Sequence, residues 1–328
     1  MSDVIDIHTH AFGKGWLDLL VAEGGPDYGT ARMADDREYL VEKGVPASVL
    51  QPEAFDYDVK LQQMDRFEID LAIVSLTSPN VFWGGEGISA EAARRVNDDM
   101  AGGQTAHPDR IRWLASLPWQ YPERAAAELE RSVANGAVGV MVTATIGGKH
   151  LIDPLFAPTW QAIDRAGLPV FVHPAAPFGA REAEFTRERI LMPGIGFMYD
   201  TTLAVARLIL DGFVDRYPAI KLIAAHGGGF LPYVAGRIDM FFARDTLAEK
   251  KISRPPGSYL EAIWYDSVLY DPGALALCLE VSGPGQVMFG TDLPMGADVD
   301  ALHELVDGLP GDQARAIRSG NARQVFAL

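Results

Sequence analysis

Val4-Ile5-Asp6-Ile7-His8-Thr9-His10 is the stretch on which the fold turns. A short apolar run with β-branched residues reads as a buried strand, and it closes on two histidines spaced two apart. Successive strand residues point to opposite faces, so His8 and His10 are expected on one side, with Asp6 on that same inward side as a supporting acid. Two imidazoles at the C-terminal end of a strand can share one metal ion through their ring nitrogens. Alone, this spacing is a weak signal, because two surface histidines near a terminus would look the same. Its weight comes from what ends the later strands.

Outward from that strand, the chain alternates strand-like and helix-like segments, the pattern of parallel strands joined by crossover helices. Residues 11–60 carry Gly24-Gly25-Pro26, Gly44-Val45-Pro46 and Gln51-Pro52 and read as an insertion over the barrel mouth. Further strands are expected at Asp70–Leu76, Ile111–Ser116, Ala137–Val142, Pro169–Pro174 and Ile220–His226, then a weaker one at Ile263–Ser267 and a last at Gln286–Gly290. Helices are expected at Leu61–Phe67, Ser89–Ala106, Pro122–Ala134, Pro154–Ala166 and Thr201–Arg216. Proline at the first turn opens two of these, and Gly136 and Gly167 close them. Eight strand–helix units in 328 residues predict a (β/α)8 TIM barrel, a single domain over residues 1–328 with a small insertion after the first strand.

Composition narrows the function. Hydrophobic content of 48% and charged content of 22% describe an ordinary soluble globular protein. A net charge of −16 argues against binding to nucleic acid or to an anionic membrane. It also means that a small anionic substrate needs a local positive charge, from a metal or an arginine. No apolar run approaches the length of a membrane span. The single Cys278 has no partner for an intramolecular disulfide, and the start of the chain lacks a basic segment followed by an apolar one. A cytoplasmic protein is therefore expected.

The polar groups at strand ends then collect. His8 and His10 close the first strand, His173 the fifth and His226 the sixth, while Asp292 follows the eighth. Sites in this fold lie at the C-terminal ends of the strands, so these residues are expected to converge. Three imidazoles and a carboxylate suit zinc or a similar divalent ion, with room for a water. His107, His150 and His303 fall in expected loops or helices and are read as surface residues.

With these residues in view, the chain resembles the amidohydrolase superfamily. The resemblance rests on Ile5-Asp6-Ile7-His8-Thr9-His10, Val172-His173-Pro174, Ala225-His226-Gly227-Gly228-Gly229 and Gly290-Thr291-Asp292-Leu293-Pro294. Gly227 to Tyr233, Gly236-Arg237-Ile238-Asp239, Arg254 to Tyr259, Asp266-Ser267 and Asp271 to Leu275 are similar to the branch of aminocarboxymuconate semialdehyde decarboxylase and related aromatic-acid decarboxylases. The resemblance implies that His8, His10, His173 and Asp292 bind the metal and that His226 hydrogen-bonds the water or substrate beside it. The superfamily's dinuclear members use a bridging lysine at the end of the fourth strand. Here that strand ends in Val142-Thr143-Ala144-Thr145, with Lys149 farther into the loop, so one divalent ion is expected: zinc first, manganese as the alternative, and no organic cofactor. The branch's carboxylate-holding arginine in the first insertion has no counterpart, since Ser48 stands near its place and Arg32 and Arg37 lie well before it. The resemblance also implies a homodimer in which Arg237 reaches the neighbouring subunit's site to bind an anionic substrate.

Two chemistries fit this set. A divalent ion can hold a substrate oxygen as a Lewis acid while an unsaturated or aromatic acid loses CO2, with His226 and Asp292 as the acid–base candidates. The same groups can instead activate water to hydrolyse a lactone, an amide or a carbon–carbon bond. The decarboxylase is the expected activity and the hydrolase its alternative.

Overall fold

The computed structural model describes residues 3–43, 45–177, 179–180, 184–185, 188, 190–247 and 249–328. Of the turn residues read in the insertion, Gly44 lies outside them. Among the described residues, eight parallel strands form one sheet in chain order: β1 Ile5–His10, β2 Leu71–Ser75, β3 Ile111–Ser116, β4 Gly139–Thr143, β5 Val170–His173, β6 Leu222–Ala224, β7 Trp264–Asp266 and β8 Val287–Met288. The sheet curls until its last segment meets its first. Ile7 N donates to Phe289 O at 3.0 Å and Asp292 N donates to His8 O at 2.7 Å. The barrel of the sequence analysis is the observed fold.

Two apolar layers hold it. Ile5, Ile7, Ile73, Leu114, Met141, Phe171, Ile223 and Met288 fill the barrel interior. Val74, Trp113, Val140, Val142, Val170 and Leu222 face the surrounding helices. Strands buried on both faces explain why these segments read as near-continuous apolar runs rather than alternating ones. Chain reversal is local: Gly167 ends its helix in the left-handed conformation at φ 63°, which costs a residue without Cβ little.

The interior list corrects the expected face of Asp6. Ile5 and Ile7 point inward, so Asp6 points outward. Between Asp6 and Thr9 the pairing with β2 shifts: Asp6 lies opposite Ala72, yet Thr9 lies opposite Val74. One extra residue on β1 is a β-bulge, and it restarts the alternation so that His8 and His10 turn inward while Thr9 faces out.

Residues 11–60 are more regular than an irregular loop. They hold a helix over Lys14–Glu23 and a three-stranded antiparallel sheet of Tyr28–Arg32, Glu38–Glu42 and Val45–Val49. A further helix, Tyr57–Arg66, starts earlier than expected because Asp56 caps it, accepting from Asp58 N at 2.9 Å and Val59 N at 3.2 Å. The long helix expected at Thr201–Arg216 is two pieces, Phe197–Leu210 and Phe213–Arg216, broken at left-handed Gly212. Among the described residues no helix is long and apolar enough to cross a membrane.

Candidate metal centre

At the C-terminal mouth the strand ends bring His8, His10, His173, His226 and Asp292 together. The ring centroids of His8 lie 5.1 Å from His10, 5.0 Å from His173 and 5.0 Å from His226. Asp292 is the hub. Its Oδ1 is 3.3 Å from His8 Nε2 and 3.1 Å from His10 Nε2, and its Oδ2 is 3.5 Å from His226 Nε2. One ligand atom each from His8, His173, His226 and Asp292 fall within 4.8 Å of one another, a set that contains His226 and leaves out His10. Asp292 has φ 62° and His226 φ 54°, left-handed values that cost a residue with a Cβ about 1–2 kcal/mol. Strain of that kind at two adjacent site residues marks a place where surrounding structure dictates the backbone.

The sequence around each group explains its placement. His226 follows β6 and opens Gly227-Gly228-Gly229, where the chain must turn sharply. At Gly229, φ is 65° and a Cβ would lie 2.3 Å from Met198 O, so no other residue fits. At Gly290, a Cβ would come within 2.9 Å of the His8 Cβ, so glycine lets β8 close against β1.

Three of the imidazoles are oriented from behind. His8 Nδ1 donates to Asp266 Oδ2 at 2.7 Å, His173 Nδ1 to Pro174 O at 2.9 Å, and His10 Nδ1 faces Ser75 O at 3.3 Å. A proton held on Nδ1 leaves the Nε2 lone pair free for a cation. His8 Nε2 and His173 Nε2 are buried and have no hydrogen-bond partner among the described residues. His226 differs, since its Nδ1 is the buried atom without a partner among the described residues.

Charge makes the same demand. Burial works against protonation of His8, but Asp292 and Asp266 push its imidazole up to about 10. Burial holds His173 well below its ordinary value, and the neighbouring imidazoles add to that, so it stands neutral as a ligand must. His10 is likewise lowered, chiefly by burial. Burial would raise Asp292, yet His8, His10 and His226 hold it well below the usual carboxylate range. Orphaned Nε2 atoms, neutral imidazoles at His10 and His173 and a deprotonated Asp292 fit a divalent cation, which would replace the proton that the two carboxylates draw onto His8.

Two supporting groups were given no role in the sequence reading. Asp266, buried at the end of β7, takes His8 Nδ1 and His226 N (2.9 Å) on Oδ2, and Gly227 N and Val268 N (3.1 Å each) on Oδ1. Burial would raise its carboxyl, but His8 draws it below its ordinary value. Its strand-end position was the available signal, the same one that marked Asp292. Lys60 is 1% exposed and donates to Thr9 Oγ1 at 3.0 Å and to His10 O at 3.1 Å. Burial pulls its ammonium down, while the neighbouring acids Asp6 and Glu53 pull the other way and favour its charged form.

Asp6 ties β1 to the residues after β8. Its Oδ1 accepts from His8 N at 3.0 Å and Thr291 N at 3.1 Å, and its Oδ2 from the Thr291 hydroxyl at 2.6 Å. Burial pushes its carboxyl up to about 6. Thr143 ends β4, and Lys149 is exposed and paired with Asp153 at 2.8 Å. Arg237 is not drawn into this cluster; it sits exposed on the helix Leu231–Arg244, its guanidinium 5.0 Å from the Phe241 ring. His303 is a correction to the surface reading: it is half-buried, with Nε2 donating to Phe67 O at 2.9 Å and its ring 4.8 Å from Phe289.

The amidohydrolase family profile matches residues 5–328, and the chain belongs to that family. The 2-amino-3-carboxymuconate-6-semialdehyde decarboxylase of Dictyostelium discoideum is 30% identical over 93% of this chain and 84% of its own length. The 5-carboxyvanillate decarboxylase LigW of Sphingomonas paucimobilis superposes with a TM-score of 0.86 at 26% identity, covering 100% of both chains. The dihydroxybenzoic acid decarboxylase of a Polaromonas species, solved with bound manganese and the inhibitor 2-nitroresorcinol, superposes with a TM-score of 0.83 at 26% identity over 100% of this chain and 98% of that one.

Proposed function

We propose that this amidohydrolase-family chain is a metal-dependent decarboxylase, without organic cofactor, of an aromatic or unsaturated carboxylic acid. The carrying observation is the set of three imidazoles, each tied at Nδ1, that turn toward Asp292 at the barrel mouth. His8, His10, His173 and Asp292 would hold one divalent ion, zinc or manganese. Thr143 stands where a bridging lysine would be needed for two. When bound, the ion supplies a Lewis acid that binds a substrate oxygen and stabilises developing negative charge.

The remaining work falls to side chains. Loss of CO2 breaks the bond between the carboxyl carbon and the ring or chain carbon, and the electron pair left behind must take up a proton. His226 and Asp292, with Nε2 and Oδ2 3.5 Å apart, are the groups that hold and move that proton. The Nδ1 of His226 has no partner among the described residues while its Nε2 faces Asp292 Oδ2, an arrangement that suits a proton carrier. An anionic substrate also needs a cation in a chain of net charge −16. Arg237 supplies it in this proposal, from the second subunit of a homodimer, since a guanidinium binds a carboxylate through two parallel bonds. The exposed stripe of Tyr233, Arg237 and Phe241, spaced four apart on one helix, supports that assembly. The single Cys278 supports a reducing compartment, the cytoplasm.

The test is product analysis. Protein loaded with Mn2+ or Zn2+ is given carboxyl-labelled dihydroxybenzoates, carboxyvanillate and related acids, alongside lactone and amide substrates. Labelled CO2 is the expected result. Hydrolysis of a lactone or amide with no CO2 released from any acid would overturn the proposal in favour of the hydrolase.

A further inference from the structure

A fully buried lysine that makes no ion pair among the described residues is a costly feature, and Lys60 is one. The capped helix Tyr57–Arg66 carries it to the outer side of β1, directly behind the bulge that turns His8 and His10 inward. Its two acceptors, the Thr9 hydroxyl and the His10 carbonyl, are neutral. A leucine or methionine in that place would pack at lower cost, so the charge itself calls for a reason.

The surroundings supply one. Asp6, Asp266 and Asp292 crowd the end of β1. Three carboxylates against one divalent ion leave one negative charge, and half-buried Glu53 adds more in the same sense. An anionic acid approaching such a centre would be repelled.

We propose that Lys60 is a positioning residue whose fixed positive charge, delivered behind His10, offsets part of this excess and helps the centre accept an anionic ligand. This inference rests on the divalent-ion part of the functional proposal and adds a residue that touches neither ion nor substrate. A unit charge roughly 10 Å from a bound anion, at an effective dielectric near ~20, alters its affinity about tenfold.

The experiment uses Mn2+-loaded full-length protein and two small probes at neutral pH, azide as the anion and pyridine as an uncharged ligand. Lys60→Met is expected to weaken azide about tenfold and leave pyridine within about twofold, and Lys60→Arg is expected to restore azide. A purely structural lysine would instead weaken both probes together. Equal losses for the two, or azide affinity unchanged in Lys60→Met, would overturn the proposal. If Lys60→Met does not fold, Lys60→Gln keeps a donor toward the His10 carbonyl without the charge and carries the same comparison. Mn2+ uptake by the unaltered protein is measured first, and its absence would overturn both this inference and the metal site. A chain that holds Mn2+ but releases no CO2 would sink only the decarboxylase reading and leave the azide comparison standing.

Discussion

Asp266→Asn isolates the orientation of His8 from everything else at the site. The substitution is nearly isosteric and keeps Oδ1, so the bonds from Gly227 N and Val268 N survive. What changes is the Oδ2 position, which accepts both His8 Nδ1 at 2.7 Å and His226 N at 2.9 Å. An amide NH2 there presents donors to two donors. His8 then reverses its tautomer to accept on Nδ1, which places the proton on Nε2, the atom the metal requires. The His226 N–H is left without an acceptor. Losing one charge-assisted bond and orphaning one buried donor is worth about 1–3 kcal/mol. Loss of such an orienting partner lowers metal affinity about 10–100-fold, or about 1.4–2.7 kcal/mol, the same range reached independently. Titration with Mn2+ followed by electron paramagnetic resonance reads the affinity, and thermal unfolding of the metal-free protein reads the stability term. Folded Asp266→Asn protein with Mn2+ affinity within about twofold of the original would refute the tautomer argument.

Three more perturbations separate the roles assigned at the mouth. His173→Ala removes one of the orphaned Nε2 ligands, so elemental analysis should find the divalent ion lost together with activity; full metal content in that variant would remove His173 from the ligand set. His226→Ala should retain the ion while kcat falls about a hundredfold or more, and loss of metal along with activity would make His226 a ligand in place of the proton carrier. Mixing inactive Arg237→Ala with inactive His173→Ala chains should restore part of the activity, because a mixed dimer contains one site with both residues intact. No recovery after demonstrated subunit exchange would return Arg237 to a surface role beside Phe241.

The barrel was legible in the sequence because its determinants are local. Apolar runs of four to seven residues, proline at helix starts and glycine at helix ends mark the strand–helix units within a few residues each. The metal-type side chains were legible for the same reason, since every one of them lies at or just past the C-terminal end of a strand, and a parallel barrel gathers all strand ends at one mouth. Helix limits near Tyr57 and Gly212 were less visible, because a cap and a left-handed break turn on single residues.

What only the tertiary structure decided are the relations between distant segments. Strict alternation puts Asp6 and His8 on one face, and the bulge in β1, defined by its pairing with β2, separates them. Asp266 acts on His8 from 258 residues away, and Lys60 acts on Thr9 across 51 residues. Local pattern cannot report such partners, because a buried carboxylate and a buried ammonium resemble solvated ones until folding removes their water. The residue types at the site follow from the chain's own order, but their tautomers, the face each occupies and the charge balance arise only when the eight strand ends meet.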